Sequence, residues 1–460
     1  MDDTFRTGGI IKTIYNACDP AKPAGAYYHD CSEARGSGVL TQVFLRHLEL
    51  ANDHLCLLFS GHLGCGKSSE LEALRQRLAD PQRGNERYFP VLINITDYLD
   101  DYDAAPIDIL LAIVTEIAAT LRDKEGIELK DNYFLKRLNE IKGFFLSDVE
   151  INEGELELGA AKIKIQRLKR DPTARQRVRD ALLPQMTSLQ EEINQVFEEA
   201  RLALKKVNKE GEPPYKDIVL ILDNLEKIQR IAGKEEGLAS QRELFLERAP
   251  QLTGMQVHVV YTVPLRLVRS AEGPKLEQLY GPLIVLPMIK VIQRGRRKPF
   301  DAGRDCLRAL IQKRLEGSGC SVDSCFDRDA LEFLLTYSGG HPRNLMMFIQ
   351  SVCTYSETIP FSLPAAHKAI QQTVRAYSTS IPDEHWEKLA KLDIAPDEAI
   401  PGGDGDYLAM LHNLSVLEYL NGGEEDAFGS AEPWYAVNPI VRELKKFKAA
   451  LLRLQDTASG

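Results

Sequence analysis

The chain has 460 residues, 44% of them apolar and 27% charged, with a formal net charge of -10. That length exceeds one ordinary domain and predicts about two or three, each with enough apolar content to bury a core. The acidic balance argues against wholesale coating of nucleic acid; with no apolar run of spanning length and no signal-peptide pattern at Met1-Asp2-Asp3, a cytoplasmic protein without membrane contact is expected.

In chain order, Leu55 to Ser60 is a short apolar run suited to a buried parallel strand. It runs into Gly61-His62-Leu63-Gly64-Cys65-Gly66-Lys67-Ser68, a full match to the phosphate-binding loop G-x-x-x-x-G-K-[ST]. Gly61 and Gly66 permit backbone angles closed to residues with a Cβ, so successive N–H groups can turn inward on phosphate oxygens. Lys67 supplies a cation for the outer phosphates and Ser68 a hydroxyl for Mg²⁺. A helix over Ser69 to Leu78, with Leu71, Leu74 and Leu78 at helical spacing, adds its positive N-terminal end. The predicted contacts to the phosphates are therefore Gly61 to Ser68, with Ser69 opening the helix. A second strand is expected over Tyr88 to Ile95 and a helix over Ala104 to Leu121.

Residues 125–214 read as an insertion. Val149/Ile151, Leu156/Leu158 and Ile163/Ile165 alternate with charges and predict a small β-ribbon. Pro172 to Lys206 predicts a long helical region, kinked at Pro184. Lys162, Lys164, Arg167, Lys169, Arg170, Arg175, Arg177 and Arg179 make its early part basic, either as a solvated face or as contact with nucleic acid or an acidic partner.

Ile218 to Asp223 is five apolar residues ending in a carboxylate, the Walker B form, and Asp223 is the expected Mg²⁺ holder with Ser68. Asn224 follows, where many ATPases with this loop and strand pattern carry a second acid. An amide orients a water but cannot take its proton, and Glu226 stands two residues beyond Asp223, with Asp223 and Asn224 facing opposite ways if the strand continues. Binding of ATP is thus expected, with slow hydrolysis. Val257 to Thr262 predicts a strand whose Thr262 meets the γ-phosphate or the attacking water, and Leu283 to Leu286 another. Arg294 to Lys298 reads as a charged loop. The eight cysteines lack any C-x-x-C pair, Cys320 and Cys325 have no second ligand pair, and reduced structural cysteines are expected.

Residues 301–357 predict a helical lid. In Ser338-Gly339-Gly340-His341-Pro342-Arg343-Asn344 the glycines end one helix, Pro342 suits the first turn of the next and Arg343 follows it. In 358–460, Leu408, Leu411, Leu414, Leu417 and Leu420 predict a helix ending near Asn421-Gly422-Gly423, and Trp434 to Val437 a short strand. Helices with a terminal ribbon predict a winged helix. Tyr407 to Leu420 shows no basic recognition helix, so packing on the nucleotide domain is favoured over DNA binding.

The phosphate loop, Leu222-Asp223-Asn224-Leu225-Glu226-Lys227 and the Gly-Gly-x-Pro-Arg segment together resemble the AAA+ and STAND P-loop ATPases, the branch with origin-recognition-like and bacterial signalling or defence ATPases. The resemblance implies an α/β fold with a parallel sheet sandwiched by helices, a helical lid and a C-terminal winged-helix-like domain. It divides the chain into a core at 1–124 and 215–300, the insertion at 125–214, the lid at 301–357 and the last domain at 358–460. It further implies ATP and Mg²⁺ as cofactors, Thr262 as sensor 1, Arg343 reaching the γ-phosphate from the lid and Arg35 near the adenine. Arg266 or Arg269 would act in trans in a self-associated form. The implied function is an ATP-controlled molecular switch relaying to a separate effector protein. The alternative is a DNA-associated ATPase for replication, transposition or plasmid maintenance.

Overall fold

The computed structural model describes residues 2–36, 40–80, 87–129, 169–207, 209–231, 237–295, 298–395, 405–420 and 433–459. The expected β-ribbon at 149–165 lies outside them, as do Lys162, Lys164 and Arg167. The strands β1 (Cys56–Gly61), β2 (Arg87–Asn94), β3 (Tyr215–Asp223), β4 (His258–Pro264) and β5 (Leu283–Leu286) form one parallel sheet in the order β2-β3-β4-β1-β5.

Period-2 alternation decides which layer each strand residue enters. Leu220 and Leu222 of β3 join the apolar cluster of one face, and Val219 and Ile221 that of the other. Both faces are covered, which is why these strands read as continuous apolar runs. The flanking helices are α1 (Leu40–Leu50), α2 (Lys67–Ala79), α3 (Pro106–Glu125), α4 (Pro172–Leu182) and α5 (Met186–Leu204). Phe44 of α1 and Leu71 and Leu74 of α2 cover one face; Leu110 of α3 with Ile193 and Phe197 of α5 cover the other. The fold is a P-loop α/β sandwich.

The long helix expected over Pro172 to Lys206 breaks at a 3-10 turn, Leu183–Gln185, where Pro184 cannot continue the ladder. Its basic start is divided: Arg170 and Arg177 are exposed, whereas Arg175 and Arg179 are buried. Arg179 is 2% exposed, its Nη1 donating to Asp103 at 2.7 Å and its Nη2 pairing with Asp108, while Arg175 Nε donates to Asp103 at 2.9 Å. These two arginines lock the insertion to the core.

The lid contains α6 (Asp301–Leu315), α7 (Arg328–Ser338) and α8 (Pro342–Thr354), with a further helix, Leu363–Ser380, behind them. Beyond it lie α9 (His385–Ile394), α10 (Gly405–His412), the antiparallel pair β6 (Val416–Leu420) and β7 (Pro433–Val437), and α11 (Lys445–Ser459), a winged-helix-like unit. The leucine-spaced helix expected to run to Leu420 therefore stops at His412. Leu414 adopts φ +64°, and Val416 to Leu420, rich in strand formers, pairs with β7, placing Leu417 opposite Ala436. Three-residue leucine spacing alone did not distinguish helix from strand.

Candidate functional site

The carboxyl ends of β1, β2 and β3 open into a cavity of about 600 Å³. It is lined by the phosphate loop at Leu63, Gly64, Gly66, Lys67, Ser68 and Ser69, and by Asp223, Asn224 and Glu226. Arg343 closes it from the lid, and the segment Asp19 to Gly25 forms another wall. This is the ligand edge of a parallel sheet. Gly61, Gly64 and Gly66 have φ of +149°, +81° and +111°, and a Cβ on Gly61 would lie 2.7 Å from the Leu286 carbonyl oxygen.

Lys67 is 4% exposed. Its ammonium donates to the Gly61 and His62 carbonyls, each at 3.1 Å, and sits 3.0 Å from Glu226 Oε1. Burial opposes its charge, but Glu226, Cys65 and Asp223 together outweigh that and raise its pKa. Burial alone would raise the Glu226 carboxyl; Lys67 and the Thr262 hydroxyl together outweigh it and hold the group below its ordinary range. Glu226 Oε2 is buried without a hydrogen-bond partner among the described residues. Burial, followed by the Glu226 charge, raises Asp223, against donation from the Ser68 hydroxyl.

Glu226 reaches this position because β3 ends at Asp223. Asn224 turns left-handed, with φ +67°, and a short 3-10 turn, Leu225–Lys227, swings the chain back toward the cavity. Asn224 Nδ2 donates to Asn94 Oδ1 at 2.8 Å, and Asn94 pairs with Asp223 across β2 and β3. The strand-parity expectation thus does not apply: Asp223 and Asn224 both line the cavity. Thr262 is fully buried and accepts the Leu225 N–H at 2.9 Å. It braces the turn that carries Glu226 and is not part of the cavity wall.

Arg35 is likewise not among the residues lining the cavity. It is 3% exposed, its Nη2 donates to the Cys65 carbonyl at 2.7 Å and its Nη1 to the Pro287 carbonyl, so it clamps the phosphate loop from behind. Cys65 is buried and unlinked. Arg269 is held within the chain by a bidentate pair with Glu418, at 2.6 and 2.7 Å, and Arg266 Nε donates to Gln241 at 2.7 Å.

His62 was expected to contribute to phosphate binding through its main chain; its ring does something else. Nε2 accepts the Glu418 N–H at 2.9 Å, which fixes the proton on Nδ1, and Nδ1 donates to the Leu411 carbonyl at 3.1 Å. On the lid side, His341 accepts the Asn344 N–H on Nδ1 at 3.0 Å and its Nε2 donates to the Leu63 carbonyl at 2.7 Å. Two neutral imidazoles therefore tie the loop to the C-terminal unit and to the lid. Asn94, His341 and the 19–25 wall were not found from the sequence. Asn94 carried a usable sign, a polar residue ending an apolar strand on the ligand edge.

The site has hard oxygen donors suited to Mg²⁺, the Ser68 hydroxyl and the Asp223 carboxylate, with the second Glu226 oxygen unpartnered nearby. Among the described residues no cluster of three or more His, Cys, Asp or Glu forms a protein-only metal cage, so the ion would draw its remaining ligands from phosphate and water. No helix among the described residues is long and apolar enough to cross a membrane.

No protein-family model and no curated protein matches the chain. Among solved structures it is similar to the Aeropyrum pernix ORC1 protein in complex with DNA, at 12% identity and a TM-score of 0.36, covering 91% of this chain and 92% of that one. It is also similar to Drosophila ORC bound to DNA, at 10% identity and a TM-score of 0.37, covering 96% and 91%. At these values the likeness carries no chemistry.

Proposed function

We propose that the chain binds Mg²⁺–ATP in the cavity between sheet and lid, hydrolyses it slowly and works as a nucleotide-controlled switch. The observation that carries this reading is the buried Lys67–Glu226 pair on the cavity floor, 3.0 Å apart, between a complete phosphate loop and Asp223. A triphosphate offers Lys67 a stronger set of oxygens than one carboxylate. As the ammonium turns to the phosphates, Glu226 is left as an uncompensated carboxylate with a free oxygen, fit to accept a proton from water. Ser68 and Asp223 would hold Mg²⁺, which supplies charge neutralisation for the phosphates. Arg343 would meet the terminal phosphate from the lid.

The switch character follows from where the cavity sits. Sheet, lid and C-terminal unit all touch the phosphate loop, so a ligand with different affinity for two arrangements of these units shifts their balance. Relay to a second protein is part of this reading, as is self-association.

The test is calorimetric titration of Mg²⁺–ATP into the wild-type chain and Lys67→Ala. The wild type should bind, and the variant should lose about 100-fold, near 2.7 kcal/mol. Tight ATP binding by Lys67→Ala, or none by the wild type, removes the proposal.

A further inference from the structure

The lid carries a second arginine that the reading above does not use. Arg314, in the last turn of α6, lines the same cavity beside the Asp19–Gly25 wall and is 8% exposed. Its Nη1 donates to the Leu310 carbonyl one turn back at 3.3 Å, and its guanidinium lies 5.6 Å from the Tyr27 ring centroid. Among the described residues it forms no ion pair. Burial, opposed by Cys18, Tyr27 and Cys31 and by no carboxylate, depresses its pKa. Arg87, Arg179 and Arg269, also buried or half-buried, each face a carboxylate: Glu212, Asp103 and Glu418. Asp19, on the same wall as Arg314, pairs with Lys22 at 3.2 Å.

A buried guanidinium with one weak partner and no counter-ion is costly to keep. At the rim of a binding cavity, that cost is recovered when an anionic or acceptor-rich ligand arrives. Which part of the ligand follows from how each arginine enters. Arg343 enters beside the loop itself, its backbone N–H 3.4 Å from the Gly64 carbonyl. Arg314 enters with the 19–25 wall, which is tethered where the loop passes into α2: the Ala24 N–H donates to Ser69 Oγ at 2.9 Å. Asp223 and Glu226, where the terminal phosphate reacts, belong to another wall.

We propose that Arg314 is a nucleotide-binding residue that completes its charge on the half shared by di- and triphosphate, the α-phosphate and ribose. Arg343 reads the terminal phosphate. The lid would then recognise any bound nucleotide through one arginine and its phosphorylation state through the other. This rests on the nucleotide reading above.

The experiment uses the full chain as wild type, Arg314→Met, Arg314→Lys and Arg343→Met. Each is titrated with Mg²⁺–ATP and Mg²⁺–ADP, and its thermal unfolding is followed without nucleotide. Arg314→Met should weaken ATP and ADP equally, by about tenfold or more, while its nucleotide-free form unfolds at the wild-type temperature or above, because an unpaired buried cation has gone. Arg314→Lys should recover part of the affinity, and Arg343→Met should weaken ATP more than ADP. The inference is overturned if Arg314→Met leaves both affinities unchanged, weakens ATP alone, or lowers the nucleotide-free unfolding temperature without touching affinity. A wild type that binds neither nucleotide overturns the underlying reading as well; a wild type that binds while Arg314→Met binds equally overturns this inference only.

Discussion

Glu226 is paired with Lys67, a relationship that could not persist through the proposed reaction. While Lys67 is its counter-ion, the carboxylate is stabilised and a weak base; under the proposed reading the ammonium would move to phosphate and the basicity of Glu226 would rise in a dry site. Glu226→Gln should therefore separate binding from turnover. It removes the proton acceptor and releases Lys67, so Mg²⁺–ATP affinity should hold or improve while single-turnover phosphate release falls about 10²- to 10⁴-fold. Phosphate release at the wild-type rate would show that another group activates the water. Lys67, Ser68 and Asp223 were legible in the sequence because their roles follow from short local spacing. Glu226 was visible only as a nearby acid. Its placement needs the left-handed Asn224, and that turn is braced by Thr262 from a strand 37 residues away. Arg35 shows the same limit: its bond to the Cys65 carbonyl joins segments whose approach no local pattern encodes.

Among the elements, the phosphate loop is gripped at two points by buried histidines, and both grips are pH-sensitive. Burial pushes His62 and His341 down to about 3, and Lys67 and Arg269 near the first, with Arg343 and Arg35 near the second, push the same way. An unfolded histidine titrates near 6.5, so below that pH the unfolded chain takes up protons that the folded chain refuses. Stability then falls as pH drops from about 6.5 toward 3, by about 1.4 kcal/mol per pH unit for each histidine. Denaturant unfolding at several pH values checks this. His62→Gln keeps a donor and an acceptor for Leu411 and Glu418, and should reduce the slope by one histidine's share. An unchanged slope would mean the ring is protonated or solvated in the folded state. The five sheet strands were legible because burial on both faces leaves continuous apolar runs. β6 was not: its leucines fit a helical spacing, and the decision came from pairing with β7 and from the Glu418 N–H that His62 takes up.

The described units meet beside the candidate cavity at one crowded joint. Gly339 and Gly340 end α7 with φ of +60° and +73°, and a Cβ on Gly340 would lie 1.7 Å from the Ile289 carbonyl oxygen, just past the last sheet strand. The Gly339 carbonyl also accepts the Tyr419 hydroxyl of β6 at 2.8 Å, so core, lid and C-terminal unit meet within two residues. Composition and motif spacing marked these as separate segments, but their mutual seating depends on such backbone approaches and could not be read from the sequence. Gly340→Ala changes the identity of no cavity side chain and forces Ile289 and the start of α8 apart. If lid seating is what brings Arg343 and Arg314 to the nucleotide, this variant should lose about tenfold or more in affinity for both Mg²⁺–ATP and Mg²⁺–ADP, with a larger radius of gyration by small-angle scattering. Lys67→Ala supplies the contrast, losing affinity while the nucleotide-free dimensions stay at the wild-type value. Wild-type affinity in a Gly340→Ala protein with an opened joint would show that the lid adds nothing to binding, and that the phosphate loop and Asp223 hold the nucleotide alone.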